Sequence, residues 1–364
     1  MKKIGILTIN DYNNYGNRIQ NYALQVYLEK MGYSIETIEN NTKTDKLCDK
    51  PKKLKQNNSN ILKKIRNKLK YYFNIKNFKM REKNFKAFNI ECIKSSKYHI
   101  NESDIPSDLK EQYDYFVIGS DQVWNPTFKH MSLIDFAMFS PKEKNIAYAA
   151  SFGIGQIEEI FLEIYKNGLS NINNISVREQ TGAEIVKKII GKDVQVVLDP
   201  TMLLTETDWE KLLKSHPRKI KEKYLFTYFL GELTKERRRF LKNIAKKNNL
   251  KIVDVSKYGK YYYVGPNEFV SLIKNSEVVI TDSFHACALA LLFKVRFYAM
   301  ERKEKMESMN SRIMTLVNKF NLKDVFINEE KKDISLERLD HSNIDEILNV
   351  EREKSLKFFK EAIK

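Results

Sequence analysis

Four polar segments carry residue types suited to acid–base or anion-binding work. They are Asp11–Gln20, Gly119–Pro126 (GSDQVWNP), Arg178–Glu179 and Asp282–His285. His285 is the natural general acid or base, because an imidazole with a reference pKa of about 6.5 both takes and gives a proton near neutrality. Arg178 can grip a carboxylate or phosphate with a planar two-pronged fork, which a lysine cannot. Asp121 is a second candidate base, or a binder of substrate hydroxyls. Gly16 would let the backbone approach a ligand, and Asn17 and Arg18 stand where a helix should begin, a natural anion site. Ser120, Gln122, Ser151, Glu179, Asp282, Ser283 and Arg312 complete the expected substrate-binding set. Each also has a plainer reading. Gly16 and Asn17 can simply make the turn, Ser120 and Asp121 can cap a short helix, Arg178–Glu179 can be a surface pair, and His285 can be a core histidine at a helix start.

What would bring these segments together is an α/β architecture. Lys3–Ile9 is a short apolar run followed by a polar loop and a helical pattern at Ala23, Leu24, Tyr27 and Leu28, closed by Gly32. Strand-like runs recur at Tyr33–Ile38, Tyr115–Ile118, Ile146–Ala150, Ile172–Val177 and Val194–Leu198. They return at Tyr224–Phe229, Lys251–Val255 and Val278–Thr281, with helical patterns at Lys235–Asn248 and Glu268–Lys274. Alternation of this kind implies parallel sheets covered by helices, and ligands then bind beyond the carboxyl ends of the strands, where all four polar segments lie. The expected domains are residues 1–204, with a basic helical insertion over about 40–112, residues 205–342, and a helix over 343–364. The Thr205–Lys223 stretch reads as the connection between halves, and the last helix as crossing back to the first domain.

Composition narrows the classes. The formal charge of +17, from 64 Lys and Arg against 47 Asp and Glu, favours anionic partners but does not choose among them. The basic helical pattern Ile61–Phe88 can lie on an anionic membrane or pack its apolar stripe on the domain while its charges stay solvated. No run approaches the roughly 20 apolar residues of a membrane span, and MKKIGILTIN lacks the features of a secretory signal, so a cytoplasmic protein is expected. Cys48, Cys92 and Cys287 have no disulfide or metal-ligand spacing, and no metal site is expected. The charge is diffuse and no nucleic-acid recognition motif appears, so nucleic acid is not an expected partner.

Six segments in order resemble the polysaccharide pyruvyl transferase family. They are DYNNYGNRIQNYAL (Asp11–Leu24), DYFVIGSDQVWNP (Asp114–Pro126), IAYAASFG (Ile146–Gly153), ISVREQTG (Ile175–Gly182), VVLDPTMLL (Val196–Leu204) and GPNEFVSLIKNSEVVITDSFHACALALLF (Gly265–Phe293). The resemblance implies two facing Rossmann-like domains of the glycosyltransferase-B kind with the site in the cleft. It implies phosphoenolpyruvate as donor, a cell-surface glycan or its lipid-linked precursor as acceptor, and no metal or organic cofactor. It places donor-binding and catalytic roles on an arginine matched by Arg178 and on an arginine-x-histidine pair matched by Ser283-Phe284-His285. The histidine is kept; Ser283 stands where the family carries its arginine.

The chemistry so implied protonates C3 of the enol phosphate, adds one hydroxyl at C2 and expels phosphate as a second hydroxyl closes the ketal. The rival reading is a glycosyltransferase of the same architecture using a nucleotide sugar, since fold does not fix reaction. In either case His285 is expected in the interdomain cleft, facing Arg178 and the loop of Asp121.

Overall fold

The structure is a computed structural model and describes residues 1–11, 13–42, 61–128, 131–215, 220–302 and 311–364. Residues 43–60 of the expected insertion over about 40–112 lie outside them.

The first half is a seven-stranded sheet of β1 (Lys3–Leu7), β2 (Ser34–Asn40), β3 (Ser95–Ile100), β4 (Tyr115–Ile118), β5 (Asn145–Ala150), β6 (Asn174–Val177) and β7 (Gln195–Val196), in the order β3-β2-β1-β4-β5-β6-β7. Every pairing is parallel. Its helices are α1 (Tyr15–Lys30), α2 (Ile61–Cys92), α3 (Leu162–Ser170), α4 (Gln180–Ile190), α5 (Pro200–Leu203) and α6 (Glu206–Ser215). The second sheet has β8 (Tyr224–Tyr228), β9 (Lys251–Asp254), β10 (Val278–Thr281) and β11 (Arg296–Ala299), again all parallel, in the order β11-β10-β8-β9. With it go α7 (Lys235–Lys247), α8 (Pro266–Lys274), α9 (Phe284–Leu292), α10 (Ser311–Lys319) and α11 (His341–Ala362). The fold is α/β with parallel sheets, as expected.

Covered strands should be apolar on both faces, and NIAYAA of β5 and VVIT of β10 are buried at every position. Helix α9, FHACALALL, is apolar all round and wholly buried, which places it in the seam and not on the surface. One hydrophobic cluster runs through that seam without a break. It joins Ile4, Tyr15, Ala23, Met202 and Trp209 to Phe226, Phe269, Ala288, Leu289 and Phe359.

One expectation changes. Within the stretch read as a connection, Glu206–Ser215 is a helix, because Trp209 and Leu212 at helical spacing bury against the shared core and Trp209 donates to the Thr201 carbonyl at 3.1 Å. Of the two readings of the basic helix, the described part of α2 fits the one that packs its apolar stripe on the protein, with Lys76, Lys79, Lys83 and Lys86 exposed. Phe78, Arg81, Phe85 and Phe88 are buried, while the basic residues Lys63–Lys70, on which the membrane reading rests, have side chains outside the described residues. Helix α11 does cross back: its Phe359 stacks on Tyr148 of β5 at 4.4 Å, and Arg352 donates to the carbonyls of Met202 and Leu204.

Candidate active site

Arg178, directly after β6, is the hub. One terminal nitrogen donates to Asp199 Oδ2 at 2.8 Å and the other to Asp121 Oδ1 at 3.0 Å, while Nε lies 3.9 Å from Glu179 Oε2. Its side chain is 1% exposed and those of Asp121, Asp199 and Glu179 are 4% or less, so this is no surface pair. Asp121 follows β4 with φ +68, a left-handed conformation that costs a non-glycine residue and is held only where surroundings insist. Its carboxylate serves Arg178 and the Asn17 side-chain amide, not a helix cap.

His285 comes from the other sheet, on the first turn of α9, whose N-cap is Ser283. Its Nε2 sits 3.3 Å from Arg178 Nη1 and 3.5 Å from Asp199 Oδ2. The ring therefore faces Arg178 as expected, but it is buried at 6% exposure and not at an open edge. Gly16 explains how the ring fits: a Cβ there would lie 2.1 Å from His285 Nδ1 and 2.5 Å from Cε1, so only glycine lets α1 close on the imidazole. The Arg178 guanidinium also lies over the Phe284 ring at 4.6 Å.

Two further expected residues brace the hub. Ser120 Oγ donates to the Ala149 carbonyl and lies 3.4 Å from Asp199 Oδ2, and Ser151 Oγ donates to Glu179 Oε1 at 2.8 Å. Asp282 stands one step away, taking the backbone N–H groups of Leu230 and Gly231 and lying 3.4 Å from Arg302 Nε. Two do not join the cluster. The Arg18 guanidinium is spent on the Ile9 carbonyl, Asn10 and Asn89, tying the β1–α1 loop to α2. Gln122 bonds Asn125 and packs on Gly153, shaping its own turn.

The charges bear on one another. Burial pushes the Asp121 carboxyl up, but Arg178, His285 and Arg312 together bring it below the ordinary carboxylate range. Asp199 is likewise raised by burial and brought down further by His285 and Arg178. Burial works against the Arg178 cation, and Asp121, Asp199 and Glu179 more than restore it. Arg312, buried at the start of α10, is held down to about 10 by burial and then by the like charge of Arg178. An anion entering beside Arg312 would offset that like charge.

Asp199 and Arg302 are the residues that sequence reading missed. Asp199 stands before Pro200 at the start of α5. Its Oδ1 does cap α5 through Thr201, yet its Oδ2 holds Arg178 and faces His285. Arg302, just beyond β11, pairs with Asp282 through Nε at 3.4 Å and donates from Nη2 to the Asp282 carbonyl. It also lines a cavity of about 480 Å³ with Arg237, Glu301, Asn328 and Glu329. A larger cavity, about 700 Å³, lies along β11 between Arg296, Asp324, Glu337 and Asn343, and shares no residue with the cluster.

Among the described residues no group of three or more His, Cys, Asp or Glu could hold a metal ion, and no helix is long and apolar enough to cross a membrane. No curated protein matches the chain. Among solved structures it is similar to the S. aureus MnaA–UDP co-structure at 13% identity, with 100% of this chain and 98% of that one covered and a TM-score of 0.50. It is similar also to the UDP-GlcNAc 2-epimerase of Methanocaldococcus jannaschii, at 13% identity over 96% and 98% of the two chains with a TM-score of 0.45. The first likeness shows the fold alone, of the kind with two Rossmann-like domains. The family profile described as polysaccharide pyruvyl transferase matches residues 14–304, most of the 364, and takes in every residue of the cluster but Arg312. The chain belongs to the polysaccharide pyruvyl transferase family.

Proposed function

We propose that the protein moves the pyruvyl group of phosphoenolpyruvate onto two hydroxyls of a sugar, in a cell-surface glycan or its lipid-linked precursor, as a ketal. The observation that carries this is His285 Nε2 set between Arg178 Nη1 and Asp199 Oδ2. Unprotonated, that nitrogen accepts from the guanidinium. Protonated, it donates to the carboxylate. Both states have a partner, so the ring can deliver a proton to C3 of the enol phosphate and afterwards take one from an attacking hydroxyl. Asp121, kept ionised beside Arg178, is placed to orient or deprotonate the other hydroxyl.

The balance is closed. C3 gains one proton, C2 gains two C–O bonds and loses one to phosphate, and the two hydroxyl protons end on C3 and on the departing phosphate. Because the Arg178 fork is filled by Asp121 and Asp199, Arg302 and Arg312 are assigned to the donor's charge, and Arg178 to holding the two carboxylates. The cytoplasmic placement and contact with an anionic membrane bearing the acceptor belong to the same reading, tested by flotation with anionic against neutral liposomes.

The deciding experiment follows acceptor mass and phosphate release with phosphoenolpyruvate. His285→Asn should stay folded, with a lowered thermal midpoint, and lose on the order of a hundredfold to ten-thousandfold in turnover. Unchanged turnover in this variant removes the ring from the chemistry. Stabilisation of the protein by UDP but not by phosphoenolpyruvate would favour the nucleotide-sugar enzyme instead.

A further inference from the structure

Helix α2 enters the seam with a buried cation that the chemistry above does not use. Arg81 is 1% exposed. Among the described residues its hydrogen bonds go to the Tyr15 hydroxyl, the Asn13 carbonyl and, at 2.9 Å, the Tyr262 carbonyl, with no carboxylate among them. Its guanidinium lies 4.3 Å from the Tyr15 ring centre, 4.4 Å from that of Phe85 and 4.4 Å from that of Tyr262. These partners come from three parts of the chain: the β1–α1 loop with the first residue of α1, α2 itself, and the segment between β9 and α8 in the second half. Asn84, one turn along, repeats the tie by donating to the Tyr263 carbonyl at 2.8 Å, and Phe78 packs on Tyr262 at 4.8 Å. Tyr15 in turn donates to the Val264 carbonyl and stacks on Phe269 of α8.

The loop that Arg81 fastens leads into the first turn of α1, where Gly16 and Asn17 lie. Gly16 abuts the His285 ring, and Asn17 holds Asp121. A guanidinium bonded on one side to the loop before Gly16 and on the other to the second sheet therefore fixes how far α1 stands from α9.

We propose that Arg81 is a positioning residue: bonded to both Asn13 and Tyr262, it sets the seam at the spacing that keeps the His285 ring closed between Gly16 and Arg178. The inference rests on the functional reading only for its effect on turnover; the closure itself is independent of it. A lysine cannot replace the fork, since one ammonium cannot reach two carbonyls and a phenol that converge on a planar group.

The test uses the full chain. The first readout is the rate of His285 modification by diethyl pyrocarbonate, resolved by mass spectrometry, with His99, whose side chain is 56% exposed, as internal standard. In Arg81→Met the His285 rate should rise about tenfold or more, as expected of local opening, with His99 unchanged. Arg81→Lys should fall between the two. The second readout is the kinetic split: kcat about ten- to a hundredfold lower with donor KM changed less than about threefold, the mark of misplacement and not of lost binding. Should Arg81→Met fail to fold, Asn84→Ala, which removes only the bond to Tyr263, should show the same direction in smaller measure. Wild-type labelling of His285 in folded Arg81→Met, or in Asn84→Ala in its place, overturns the proposal whether or not phosphoenolpyruvate is the donor. A wild-type enzyme that closes on His285 as described yet transfers no pyruvyl group would sink the functional reading alone.

Discussion

Replacing Gly16 by alanine adds one methyl group at the most crowded point of the cluster. The new carbon would lie 2.1 Å from His285 Nδ1, and ordinary contact begins near 3.4 Å, so one of the two groups must move by about 1.3 Å. The helix cannot easily yield, because Asn17 on the next residue is bonded to Asp121 and Tyr15 on the previous one is stacked in the core. Nor can the ring retreat freely, since its far nitrogen already meets Arg178 at 3.3 Å and Asp199 at 3.5 Å. Two effects on stability oppose each other: overpacking costs about 1–3 kcal/mol, and alanine in place of glycine in a helix returns up to about 1 kcal/mol. A net loss near 1 kcal/mol should leave the protein folded. Turnover should suffer far more, because a misplacement of about 1 Å at a reacting group costs on the order of a hundredfold. Pyruvyl transfer followed by acceptor mass, beside a urea unfolding curve, reads both quantities. Wild-type turnover in folded Gly16→Ala would refute the placement of His285 against α1 and with it the argument for the ring's role.

Arg178→Met should lower the unfolding free energy by about 3–5 kcal/mol in urea, since it strands two buried carboxylates; a loss under about 1 kcal/mol would mean the pairs are not formed. Asp121 and Asp199 have folded-state pKa values below their unfolded ones, so the stability they confer is present above about pH 3.9 and drains away as pH falls through the depressed values. Acid titration of stability should accordingly show a steep decline below about pH 4 that Asp199→Asn flattens, and identical slopes would contradict the assignment. Arg302→Gln should weaken phosphoenolpyruvate by about tenfold to a hundredfold in calorimetry, the worth of a charge-assisted bond, and unchanged affinity would remove Arg302 from the donor site.

What the sequence made legible is whatever local pattern determines. Strand, polar loop and helix can be recognised from apolar periodicity, and a loop after a parallel strand is where a ligand belongs, so Asp121, Arg178 and His285 could be chosen before any contact was known. What stayed hidden depends on where a side chain goes in space. Asp199 satisfied a local rule, capping α5 with one oxygen, and nothing local reveals the partner of the other. Arg81 sits among lysines in KMREKNFK and reads as one more solvated charge, although its cage is built by residues 66 positions before it and 181 after it. Arg18 is the converse: a cation at a helix start suggests an anion site, but Ile9, Asn10 and Asn89 take up its donors.

The unbroken apolar cluster across the seam bears on how this chain folds and fails. Each sheet does have apolar packing of its own, around Trp124 and Tyr165 in the first and Leu225 and Phe240 in the second, but a shared cluster joins the two. Here α9 is buried on every side and Trp209 fills space beneath helices of both halves, so a cut between them would bare a surface that neither half can cover. Calorimetry should therefore find one transition for the whole molecule, with calorimetric and van't Hoff enthalpies that agree. Damage at either end of the chain, including loss of α11 with its Phe359, would be felt as a loss of cooperativity everywhere.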